Sequence, residues 1–148
     1  MIATKTAAQT EAVGARLGCQ LVPGDLILLE GELGAGKTTF TRGVARGAGF
    51  KGRVSSPTFA LAHVYRGKRL TLHHLDMYRL ADGDVSEVGL EDLLRDPKAA
   101  VIVEWPGAVA EGWPRERLEV KLAHAKAGRT LRFKARGARA KALAGKLA

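Results

Sequence analysis

At 148 residues the chain is long enough to bury a core without disulfides or a structural metal, and 46% hydrophobic with 26% charged residues excludes a disordered or collagen-like class. The formal charge is +9 and unevenly placed: residues 120–148 carry nine Lys and Arg and no acid, while residues 1–119 hold 15 of each sign. Such an end reads either as a solvated face or as the footprint of an anionic partner, nucleic acid or a membrane surface.

In chain order, Met1 to Lys5 precede no signal-peptide core and no run approaches the ~20 apolar residues of a bilayer span, so a cytoplasmic protein with no membrane contact, a single domain over 1–148, is expected. Residues 6–18 read as an amphipathic helix whose modest apolar face is Ala8, Ala12, Ala15 and Leu17. Cys19, the one cysteine, has no disulfide partner and reads as a buried, inert thiol, which fits a reducing compartment. Pro23-Gly24-Asp25 turns the chain into a short buried strand at 26–29. A glycine-rich loop follows, then a helix from Lys37 to Gly47. Residues 55–65 and 70–76 have strand character around a turn at Arg66-Gly67-Lys68, and a helix capped by Asp84 or Ser86 runs to Arg95 before Pro97. Residues 99–103 are a second buried apolar strand ending on Glu104-Trp105-Pro106. Leu118, Val120 and Leu122, then Leu131 and Phe133, alternate with polar residues about Ala127-Gly128, a hairpin with one wet face. Residues 137–148 form a short, basic, Ala-rich helical tail. Strands alternating with helices predict an α/β fold, a mainly parallel sheet with flanking helices and a C-terminal antiparallel hairpin, and the G-x-x-x-x-G-K-T run at Gly31 to Thr38 makes it one of P-loop NTPase type.

The chemistry concentrates in Gly31-Glu32-Leu33-Gly34-Ala35-Gly36-Lys37-Thr38, a G-x-x-x-x-G-K-[ST] pattern set between a buried strand and a helix. Glycines at 31, 34 and 36 let successive N–H groups converge on an anion, and the helix N-terminus adds the positive end of its dipole. Lys37 then reaches the β- and γ-phosphates, the Thr38 hydroxyl ligates Mg²⁺, and Thr39 is placed at the α-phosphate. A flexible glycine turn that happens to precede Lys-Thr is the bland alternative, and the strand and helix around it disfavour that.

Such a loop needs an acid on the metal side, and Glu104 closes an apolar strand where a Walker-B acid would sit; an exposed strand-end Glu is the alternative. Alternation places Leu72, His74 and Asp76 on one strand face. Asp76 has two open readings: it orients or deprotonates the attacking water or holds a metal-bound one, or it caps the turn through Met77-Tyr78-Arg79. The histidines lack zinc spacing, and His63 and His124 read as partly exposed strand residues.

Gly31 to Gly43, Ser56-Pro57-Thr58-Phe59, His74-Leu75-Asp76-Met77-Tyr78-Arg79-Leu80 and Glu104-Trp105, in that order and spacing, make residues 6–135 resemble the TsaE (formerly YjeE) family of bacterial P-loop ATPases. The resemblance implies a part in making N6-threonylcarbamoyladenosine at position 37 of tRNA, where the TsaE-type member binds and hydrolyses Mg-ATP while docked on a TsaD/TsaB-type transferase pair. It implies a switch-like segment at 56–59 near the γ-phosphate, a catalytic or metal-side role for Asp76, a metal role for Glu104, and a place for Trp105 beside the site or at the partner surface. It also implies that Arg129 touches the nucleotide and that Thr10 approaches the base. Pro106-Gly107 follows Trp105 where the family often carries an acid or polar residue, and the basic end is denser than the family pattern requires.

Two other functions fit a phosphate loop. A small-molecule kinase would need a lid, and after Glu104 only the hairpin and tail remain. A nucleotide-gated RNA-binding module would use the basic end to meet tRNA, but that end offers Phe133 alone for base stacking. No guanine-reading N-K-x-D is present, which favours ATP.

Overall fold

The computed structural model describes residues 1–55, 62–78, 89–106 and 112–147. The elements in order are β1 (Ile2–Thr4), α1 (Ala7–Gly18), β2 (Leu26–Glu30), α2 (Lys37–Gly47), β3 (Ala62–Arg66), β4 (Thr71–Asp76), α3 (Leu90–Arg95), β5 (Ala99–Glu104), β6 (Arg117–Ala125), β7 (Gly128–Arg136) and α4 (Ala138–Leu147). Among the described residues the strands form one sheet in the order β1-β7-β6-β2-β5-β4-β3. The central four, β6, β2, β5 and β4, run parallel, and β3, β7 and β1 add antiparallel edges. The expected α/β sheet with its C-terminal hairpin is therefore present, with a parallel core inside a mixed sheet.

The apolar runs are continuous because both faces of the central strands are covered. Ile27 and Leu29 of β2 point towards α1, α2 and α4, while Leu26 and Leu28 point to the other face with Leu75, Leu90, Val101 and Val103. On β6 and β7 the inward set is Leu118, Val120, Leu122 and Leu131, and Arg132, Lys134 and Arg136 stay exposed, as the alternation predicts.

Several local expectations change. The buried side of α1 is Thr10, Val13, Gly14, Leu17 and Gly18, whereas Ala8 and Ala12 are exposed. The reason is the partner: α1 lies on α2 through Gly14 and Gly18 facing Gly43 and Gly47, and a Cβ added at any of the four would fall inside 3.0 Å of the other helix's backbone. Smallness, not apolarity, selects that face. Cys19 follows the helix as its C-cap and is exposed, not buried. β1 is an unpredicted edge strand paired with β7, too short at three residues to show a period. The strand expected over 55–65 is described as β3 only, and 56–61 lie outside the described residues, as do Asp84 and Ser86. The helix before Pro97 opens at Leu90 after Gly89, whose φ is +65°.

The basic end is not a free tail. Ala140, Leu143 and Leu147 of α4 are buried in the main core. Arg139 grips Asp25 with two bonds of 3.0 and 2.8 Å, an ion pair that raises the guanidinium pKa, and it also donates to the Gln20 carbonyl. Arg16 donates to the Leu147 carbonyl at 3.2 Å, where a cation also complements the helix C-terminus. No helix among the described residues is long and apolar enough to cross a membrane.

Candidate nucleotide-binding site

The loop between β2 and α2 is built from what its residues allow. Gly34 and Gly36 take φ of +76° and +103°, a region that side chains rarely enter, and Gly36 leads directly into α2. No described side chain caps that helix, and its first residues, Lys37, Thr38 and Thr39, line the cleft. Lys37, buried at the first helical position, folds back so that its Nζ donates to the carbonyls of Gly31 at 2.6 Å and Glu32 at 3.0 Å. The ammonium also lies 4.2 Å from the centre of the Trp105 ring. Burial lowers the Lys37 pKa, and the nearby charges of Glu104 and Asp76 oppose that shift.

The two carboxylates come from neighbouring parallel strands whose register sets Asp76 directly opposite Glu104. With Lys37, Thr38, Thr39, Gly34, Gly36, Leu33, Tyr78 and Trp105 they line a cleft of about 550 Å³. Asp76 caps the turn, its Oδ1 accepting from the Tyr78 N–H at 2.9 Å, and the same side chain lines the cleft. Burial raises its pKa, the Tyr78 N–H opposes this, and Glu104 adds to the rise.

The direction of that shift fixes a pH dependence. A carboxyl with a folded pKa above its unfolded value takes up its proton first in the native state, so keeping it ionised costs stability as pH rises through that window. Asp76→Asn retains an acceptor for Tyr78 and removes the charge. In the absence of nucleotide it is expected to be more stable than the parent at neutral pH, with the difference shrinking towards pH ~4 in urea titrations. A difference that stays constant with pH would mean that the buried charge is not its cause.

Trp105 has φ +58°, an outlier for a bulky residue and a strained one. The turn ends β5, with the Trp105 N–H on the Leu29 carbonyl at 3.2 Å, and lays the indole 5.0 Å from the Tyr78 ring at the mouth of the cleft. Sequence reasoning places Trp105 near the site by resemblance alone and misses Tyr78 as a lining residue.

Across the loop lies a second cavity of about 250 Å³, sharing Gly34, Gly36 and Thr39 with the first and lined further by Thr4, Thr6, Thr10, Gly128 and Arg129. Arg129 donates to the Gly34 carbonyl at 3.1 Å, and the buried Thr10 hydroxyl meets that of Thr4 at 2.7 Å. The two residues implied only by resemblance are thus brought against the loop, from β7 and α1. Ala35 is buried behind the loop, and Glu32 and Leu33 are exposed on it. Ser56 to Phe59 lie outside the described residues.

The donor set suits a hard, phosphate-bound cation. Thr38, Asp76 and Glu104 line the same cleft as Lys37 and the start of α2, and Mg²⁺ characteristically takes one or two carboxylates with substrate phosphates, not an all-protein cage. Among the described residues there is no cluster of three or more His, Cys, Asp or Glu for a metal.

A family model described as threonylcarbamoyl adenosine biosynthesis protein TsaE matches residues 4–131. The chain belongs to the TsaE family. The tRNA threonylcarbamoyladenosine biosynthesis protein TsaE of Bacillus subtilis is 38% identical over 117 residues, covering 79% of this chain and 73% of that protein. That of Streptomyces coelicolor is 41% identical, covering 74% and 76%, and that of Treponema pallidum 38%, covering 80% and 87%. The crystal structure of Bacillus subtilis YdiB superposes with a TM-score of 0.84 at 32% identity, over 99% of this TsaE-family chain and 91% of YdiB.

Proposed function

We propose that this TsaE-family chain is a cytoplasmic, Mg²⁺-dependent P-loop ATPase of tRNA threonylcarbamoyladenosine biosynthesis that works docked on a TsaD/TsaB-type transferase pair. The observation that carries the ATPase reading is the juxtaposition of the Gly31–Thr38 loop at the uncapped start of α2 with Asp76 and Glu104 on one rung facing it. The family and its curated relatives support the pathway.

In this reading the loop N–H groups and Lys37 hold the phosphates, and Thr38 with Glu104 forms the metal side. Asp76 positions water, while Arg129 and Thr10 border the base end. Bound Mg²⁺ would supply charge neutralisation of the β- and γ-phosphate oxygens. Phosphoryl transfer asks for positioning and electrostatics more than covalent chemistry, which such a cleft provides. In this reading hydrolysis is slow alone and faster in the complex, where a partner can supply a cationic group to the phosphates. A missing arginine finger is worth ~10³–10⁵ in rate. A tRNA contact would fall on the outer face of the β6–β7 hairpin, where Lys121 stands opposite Arg132 with Lys134 beyond, all exposed.

The test is a pull-down with a TsaD/TsaB-type pair, with and without Mg-ATP, coupled to phosphate release. Nucleotide-dependent capture and release stimulated by at least ~10³ are expected. Label passing from ATP to a small acceptor would instead make the protein a kinase.

A further inference from the structure

Glu104 is 2% exposed, and a carboxylate so enclosed needs a hydrogen-bond donor. Its donor is His74, 0% exposed, whose Nε2 lies 3.0 Å from Glu104 Oε1. An ionised carboxylate only accepts, so Nε2 carries the hydrogen. On the ring's other side the unprotonated Nδ1 faces the Tyr65 hydroxyl at 3.1 Å, and the single hydrogen of that hydroxyl lies within reach of both Nδ1 and the Ser55 carbonyl, 3.0 Å away. The Tyr65 and Phe50 rings, 5.1 Å apart, close the packing behind it. Thus β3, β4 and β5 each contribute one member of a buried row, and none of Tyr65, His74 or Ser55 lines the 550 Å³ cleft.

We infer that His74 is a positioning residue that fixes the Glu104 carboxylate towards the phosphate loop, with Tyr65 holding the imidazole in its orientation. One Glu104 oxygen is held from behind by Nε2–H, so the group presents its other edge to the cleft it lines. A carboxylate expected to meet Mg²⁺ gains from this because residues that orient metal ligands typically govern 10–100-fold in metal affinity or activity. The inference rests on the Mg-ATPase reading of the site.

His74→Leu, His74→Gln, Tyr65→Phe and Glu104→Gln separate the possibilities. The full chain is melted with a non-hydrolysable ATP analogue, with and without Mg²⁺, and half-saturating Mg²⁺ is read from phosphate release. For His74→Leu the Mg²⁺-free shift caused by the analogue persists. The additional Mg²⁺-dependent shift is lost, and half-saturating Mg²⁺ rises at least ~10-fold. His74→Gln keeps an N–H near the Nε2 position and restores most of it. Added to Glu104→Gln, His74→Leu changes nothing further, because the histidine acts only through that carboxylate. Unchanged Mg²⁺ dependence in His74→Leu, or effects that multiply with those of Glu104→Gln, would overturn the inference while leaving the ATPase intact. An inert Glu104→Gln would instead bring down the Mg-ATPase reading and the inference with it. Should His74→Leu not fold, Tyr65→Phe decides: it raises half-saturating Mg²⁺ at least ~3-fold, or the inference fails.

Discussion

Lys37→Met is expected to weaken nucleotide binding at least ~10²-fold while leaving the empty protein folded and about as stable as before. The ammonium is buried, its pKa is lowered by that burial, and its partners are the carbonyls of Gly31 and Glu32 with the face of Trp105 below. These neutral partners hold the group in place without neutralising it. Arriving phosphate oxygens would replace them with charge-assisted bonds, roughly twice as strong as neutral ones. Losing one such donor in an enclosed site typically costs ~10²–10³ in rate. In calorimetric titrations ATP affinity should fall at least ~10²-fold, with phosphate release falling alongside it. Methionine retains the packing of the stem, and the two carbonyls it releases border a cleft open to water, so unfolding without nucleotide should move by no more than about 1 kcal/mol. The charge adds a pH signature. The native state gives up the Lys37 proton before the unfolded chain does, so in the alkaline window below 10.5 the parent gains stability as pH rises. That gain is absent in Lys37→Met. Retained ATP affinity would remove the phosphate-loop reading itself.

What the sequence makes legible follows from how local each feature is. The phosphate loop uses consecutive residues, Glu104 ends an apolar strand and Asp76 ends an alternating one, so local types and neighbours bring all three forward as candidates. That the two acids share a rung depends on the β4–β5 register, which no local pattern encodes. Alternation puts His74 on the Asp76 face, yet its partners Tyr65 and Glu104 lie 9 and 30 residues away, beyond the reach of periodicity. The positive φ of Trp105 has no signature in a residue type that rarely adopts it. The charge of the C-terminal segment is legible and its placement is not. A helix of alternating Ala and basic residues looks like a free tail until the Arg139–Asp25 pair and the burial of Leu143 and Leu147 are seen.

The glycine seam between α1 and α2 is hidden for a similar reason, and it carries the largest expected effect on stability. A glycine in a helix interior normally costs roughly 0.8–1.0 kcal/mol against alanine, so Gly→Ala in a helix should stabilise wherever space is open. Gly145 of α4 is such a place, exposed with nothing within 4 Å of an added Cβ, and Gly145→Ala should raise stability by about 0.5–1 kcal/mol. Gly43→Ala should reverse the sign. Its Cβ would run into the Glu11 carbonyl and the Ala15 N–H, backbone atoms of α1 with no flexible side chain to yield. The helices must separate, at the overpacking cost of about 3 kcal/mol, or roughly 6–12 °C in melting temperature for a chain of this size. The seam also sets the site, because α2 begins at Lys37 and α1 carries Thr10 to the cavity it shares with Gly34 and Arg129. Pushing α1 away moves Thr10 from the loop, so Gly43→Ala should weaken nucleotide affinity as well, although residue 43 touches neither cavity. Calorimetric unfolding of the two alanine variants beside the parent, with and without nucleotide, checks both halves. Equal stabilisation by the two substitutions would mean that α1 and α2 do not meet backbone to backbone.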